Sequence, residues 1–206
     1  MRAAASLVAV GIVAALAGAG CGGQSSRLYD SPNKSTFKVD ERKAIADEIA
    51  LLAKGKDGQD IDGTATYSEA VNTLTGRGSK IEPQLIEALV GDNDWAVRMG
   101  VLEVLASVGT RTCVEPVISA TKDSAALVAL HANKLLEAMT GHRIIPAAGE
   151  PGSAAPVPPV PARDPKVLDL DAEERIWAEW HREHGGKLHE AWQAWWKTNR
   201  GTAVIK

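Results

Sequence analysis

A chain of 206 residues with a net charge of −3 carries no excess of basic groups, so it lacks the electrostatic field that draws proteins to DNA or RNA. Its two cysteines, Cys21 and Cys113, exclude a disulfide framework, and its hydrophobic content of 45% is that of a protein able to build a core. Once the terminal and proline-rich stretches described below are set aside, about 140 residues remain, room for one core rather than two.

The chain opens with Arg2 followed by an apolar run from Ala3 to Leu16, then Ala17-Gly18-Ala19-Gly20 and Cys21. A basic residue, a short apolar run and small residues form an export signal, and the run is short for a permanent span of a bilayer about 30 Å thick. The segment resembles the bacterial lipoprotein signal, with Ala19 and Gly20 in the expected places and Gly18 where that family usually has Leu. The resemblance implies cleavage after residue 20 and acylation of Cys21. An ordinary secretory signal is the alternative. Acyl chains contribute about 0.8 kcal/mol per buried CH₂, so an acylated Cys21 would hold the protein on a membrane. Residues 21–38, with Gly, Ser and Asn and no apolar period, read as a flexible tether.

Asp40 then opens a helical pattern through Ala44, Ile45, Ile49, Leu51 and Leu52, closing at Gly55. Gly58-Gln59-Asp60-Ile61-Asp62-Gly63, with Glu69 beyond, matches part of an EF-hand calcium loop. The first ligand position is Gly58 rather than Asp, and a polar turn accounts for it better. Further helical patterns run from Pro83 to Leu89, Asp94 to Val108 and Val114 to Thr121. A repeat connects them: Ile81-Glu82-Pro83 recurs 33 residues later as Val114-Glu115-Pro116, and Gly76, Gly109 and Gly141 each end a helix. Proline suits the first turn of a helix, where its missing N–H costs nothing, and glycine suits a helix end. Helical hairpins of this kind cannot bury their apolar faces alone and stack on one another. Cys113 falls in an apolar stretch and reads as a small packed hydrophobe.

The residues Leu85-Ile86-Glu87-Ala88-Leu89, Asp92-Asn93-Asp94-Trp95-Ala96-Val97-Arg98, Val101, Leu102, Leu105 and Gly109 resemble a unit of the HEAT family. The following unit keeps Asp123 and Val128 but has Ala129 where the family has arginine. The resemblance spans roughly residues 65–142. It implies an all-α fold, a short α-α superhelix of about three helical hairpins over residues 39–145, with Asp94 capping a second helix and Arg98 bracing adjoining turns.

Residues 146–170 form a proline-rich linker, with seven prolines between Pro146 and Pro165. Residues 171–200 carry Trp177, Trp180, Trp192, Trp195 and Trp196, and their spacing predicts two amphipathic helices meeting near Gly185-Gly186. Indoles in a stripe must cover something, either the end of the repeat domain or a partner. His181, His184 and His189 are weak candidate metal ligands. No nucleophile elbow or phosphate loop is present, and no catalytic residue or cofactor is expected. The function expected is a lipid-anchored, non-catalytic HEAT-type scaffold of the cell envelope that binds another envelope protein, facing the periplasm or exterior. Candidate contacts are Trp95, Asp92 and Asp94, with Trp95 as the most exposed anchor, together with the five C-terminal tryptophans. The alternative is a lipoprotein that recognises glycan or metal through its C-terminal helices.

Overall fold

The computed structural model describes residues 39–57, 64–92, 94–145, 156–159 and 170–205, and all regular structure among them is helical. The expected export signal, Cys21, the expected tether, the segment 58–63 and most of the proline-rich stretch lie outside the described residues. No helix among those described is long and apolar enough to cross a membrane.

The helices are α1 (Val39–Ala50), α2 (Thr64–Gly76), α3 (Glu82–Gly91), α4 (Trp95–Val108), α5 (Val114–Ala120), α6 (Ala126–Thr140) and α7 (Leu170–Asn199). Their ends follow local chemistry. Pro83 stands in the first turn of α3. At α4 the Asp94 carboxylate accepts from the Ala96 N–H at 2.9 Å. Gly141 closes α6 in the left-handed conformation, φ +70°, which glycine adopts without strain. Gly109 is required by space instead: a Cβ there would lie 2.5 Å from the Leu105 carbonyl oxygen and 2.9 Å from Cys113 Sγ.

Packing is serial. The pairs α1 and α2, α3 and α4, and α5 and α6 are in contact, and successive pairs touch through α1 on α3, α2 on α4, α3 on α5 and α4 on α6. Leu85, Leu102, Leu105, Leu127 and Leu136 are fully buried along this series. Helix α7 lies against α5 and α6.

Three expectations are corrected. First, α1 does not run on to Gly55: it tightens at Leu51 into a 3-10 helix, Leu51–Asp57. Leu52 is drawn against Gly100 of α4, whose missing side chain leaves room for it, while Leu51 turns outward, 41% exposed. Second, the C-terminal tryptophans belong to one helix of 30 residues rather than a helical pair. Gly185 and Gly186 cost roughly 1 kcal/mol each in helix propensity, but α7 is anchored to α5 on both sides of them, so the helix continues. Third, Pro156–Pro159, four residues of the expected linker, do not stand clear of the helices: the Pro156 and Pro159 carbonyls are bonded to α7.

Candidate functional site

The repeated Ile/Val-Glu-Pro motif shows how α7 is seated. In the first copy Glu82 is buried, and its carboxylate accepts from the Thr110 N–H at 2.7 Å and the Thr110 hydroxyl at 2.8 Å. In the second copy Glu115 accepts instead from the Trp196 indole N–H at 3.1 Å. One carboxylate thus ties its helix pair to the next connection, and its counterpart ties the last pair to α7.

The connection before α6 follows the same logic. Asp92 accepts from the Asp94 N–H at 2.7 Å, and Asp123, 31 residues on, accepts from the Ala125 N–H at 2.9 Å. Ala125 therefore stands where Asp94 stands and has no side chain to cap α6. Glu174 of α7 supplies the missing acceptor, taking the Ala126 and Leu127 N–H groups at 2.7 Å each. A carboxylate at a helix N-terminus satisfies orphan donors and meets the positive end of the helix dipole. Sequence reading missed Glu174 because its target lies 48 residues away.

Arg98 joins the two units. Its guanidinium makes a bidentate pair with Asp123, 2.7 Å on each arm, and donates to the Asp92 carbonyl at 2.8 Å. The hydrogen bonds to Asp123 push its pKa up. At the other end of the domain Arg77 makes a similar two-armed pair with Glu48 of α1.

The C-terminal indoles are mostly interior. Trp192 is fully buried and donates to Asn133 Oδ1 at 2.8 Å, while Trp177, Trp180 and Trp196 are each 7% exposed. These four, expected among the contacts for a partner, are covered by the protein itself. Trp195 is half-buried and stacks on His142 with ring centroids 4.7 Å apart, and Arg111 lies over Trp196 at 5.2 Å. Trp95 is half-buried against the core at the start of α4, more exposed than Trp177, Trp180, Trp192 and Trp196. Asp92 and Asp94 are half-buried beside it.

The three histidines of α7 do not converge. His189 is buried and its Nδ1 donates to the Ile118 carbonyl at 2.9 Å; His181 Nε2 donates to the Thr121 carbonyl at 3.3 Å. His184 lies against Trp180, with its Nδ1 buried and making no hydrogen bond to a protein group. Among the described residues no group of three or more His, Cys, Asp or Glu side chains is placed to hold a metal ion. Cys113 is fully buried, and burial together with the charge of Glu82 pushes its thiol up to about 12, so it is no nucleophile at neutral pH.

A polar row crosses the second helices of the pairs. Tyr67 of α2 donates to Glu103 of α4 at 2.6 Å, and His131 of α6 feels the charges of Glu103 and Glu173. The exposed Glu103 and Lys134 make this face the open polar surface of α4 and α6. No family model, no curated protein and no solved structure matches this chain.

Proposed function

We propose that this protein is a non-catalytic scaffold of the HEAT type, a short α-α superhelix tethered to a membrane through Cys21 on the export side and holding another envelope protein. The observation that carries the repeat reading is the matched use of Glu82 and Glu115: the first binds the next unit through Thr110, the second binds α7 through Trp196. That pattern suits an array of equivalent hairpins closed at one end by a helix that covers its last apolar face. The serial contacts of α1 to α6 support the same reading. The polar face of α2, α4 and α6 is then the contact surface. Recognition of glycan by stacking requires open ring faces, whereas Trp177, Trp180, Trp192 and Trp196 are buried and Trp195 is stacked on His142.

Two measurements test the proposal. Mass spectrometry of protein taken from membranes should find an acylated Cys21 as the first residue, with Cys21→Ser releasing the chain to the soluble fraction; an unmodified cysteine would remove the anchor. A photo-crosslinking residue at position 103, on the α4 face, should capture a defined partner in cells where the same residue at the exposed position 87 of α3 captures none. Equal labelling from both positions, or none from either, would remove the scaffold surface.

A further inference from the structure

Pro156–Pro159 meets α7 through a pattern of its own. The Trp177 indole N–H donates to the Pro159 carbonyl at 2.8 Å, and the Trp180 indole N–H donates to the Pro156 carbonyl at 3.2 Å. The donors are three residues apart and so are the acceptors, in reversed order, so the strand runs antiparallel to the helix. Three residues make one turn of a polyproline II helix, which places the carbonyls of residues i and i+3 on one side. Proline fixes φ near the value that helix needs and has no N–H, so the carbonyls make no bonds within the strand and stay available as acceptors. The strand sits on the surface rather than in the core: Pro156, Val157 and Pro159 are exposed, and only Pro158 is half-buried. Pro158 also borders a cleft of about 250 Å³ whose walls include Leu130 and Asn133 of α6 and Ile145 beyond it.

We infer that the Trp177–Trp180 face of α7 is a reading site for polyproline II segments, held by the chain's own Pro156–Pro159 until a proline-rich segment of a partner protein replaces it. Aromatic donors aimed at prolyl carbonyls are the chemistry by which such segments are recognised. The resident strand contributes two neutral hydrogen bonds and leaves three of its four residues exposed, and its hold comes from being tethered at an effective concentration on the order of 1 mM. A partner segment that makes the same two bonds and also fills the cleft beside Pro158 gains contacts the resident lacks. This inference deepens the scaffold reading by naming the chemistry of a partner and rests on that reading, but it does not depend on the lipid anchor or on the α4 face.

The test uses the full chain in detergent and a synthetic peptide with the sequence of residues 154–161. In wild type the peptide should shift the Nε1–H resonances of Trp177 and Trp180 while leaving that of Trp192 in place. In a variant with Pro156→Gly, Val157→Ser, Pro158→Gly and Pro159→Ser the peptide should bind about tenfold more tightly, the tethered competitor being gone. Adding Trp177→Phe and Trp180→Phe to that variant keeps ring volume but removes both donors, and should weaken peptide binding about tenfold with helical circular dichroism intact. Unmoved Trp177 and Trp180 resonances at millimolar peptide would overturn the inference. So would equal affinity for wild type and the strand variant, or unfolding of the strand variant, which would make the strand a structural brace. Peptide binding without crosslinks from position 103 would retain this site while removing the other surface.

Discussion

Arg98 and Asp123 illustrate how much one side chain can decide in this protein. Both are nearly buried, with side chains 11% exposed, and each has its polar atoms occupied by the other or by backbone. Leaving one partner of such a pair alone costs roughly 3–5 kcal/mol. Arg98→Met should therefore lower the urea midpoint strongly, and Arg98→Met with Asp123→Asn should recover part of the loss. A near-neutral Arg98→Met would show the pair to be dispensable. His131 offers a test of opposite sign to most surface histidines. Burial lowers its pKa from 6.5, and its Nδ1 lies 2.8 Å from the Leu127 carbonyl. The unfolded chain then binds a proton more readily than the fold, so stability present above pH 6.5 is lost as pH falls below that value toward the folded pKa. His131→Gln should flatten the fall in melting temperature between pH 7 and pH 5, and an unchanged profile would count against it. The capping role of Asp94 was legible through the HEAT resemblance, and the cap itself is local, a carboxylate accepting from the N–H two residues on. Glu174 was not, because no local rule links a carboxylate on α7 to the orphan N–H groups of α6.

At the scale of elements, glycine and proline carried different weight according to what surrounded them. Gly76, Gly109 and Gly141 lie at or just after helix ends, as their spacing predicts. Gly185-Gly186, the same residue type, falls inside α7 because His181 and His189 hold the helix to the end of α5 on either side. The two glycines differ from each other as well. Gly186 is exposed with open space at its Cβ position, so Gly186→Ala should raise stability by about 0.5–1 kcal/mol. A Cβ at Gly185 would lie 2.5 Å from His181 Nε2, so Gly185→Ala should turn His181 away from the Thr121 carbonyl and cancel that gain. Thermal unfolding of the two variants should separate them; equal stabilisation would mean that the His181 bond contributes nothing. The Glu-Pro repeat at 33 residues was visible in the sequence because helix starts have local grammar. The bonded strand Pro156–Pro159 was not, since proline density describes what a segment cannot be and says nothing of what its carbonyls meet.

For the whole molecule, α7 is the element that holds the end of the domain together. It caps α6 through Glu174, occupies Glu115 through Trp196 and buries Trp192 against Asn133. Trp192→Ala would empty a large interior volume and strand a buried amide, a loss of roughly 3–5 kcal/mol. At about 2–4 °C per kcal/mol for a chain of this size, the melting temperature should fall by roughly 6–20 °C. Trp195→Ala, at a half-buried ring, should cost clearly less. Equal shifts for the two would argue that α7 packs elsewhere.

The sequence by itself determined the all-helical class, most helix boundaries and the repeated acidic and proline positions, because each depends on residues within one or two turns of one another. It also supplied the candidate anchor at Cys21. Only the tertiary structure decided that α7 is continuous, that its indoles face inward, that Ala125 borrows its cap from Glu174, and that two prolyl carbonyls serve as acceptors for Trp177 and Trp180. Each of these is a contact between residues 18 to 81 positions apart, and burial against a distant element outweighs the local propensity that sequence spacing reports.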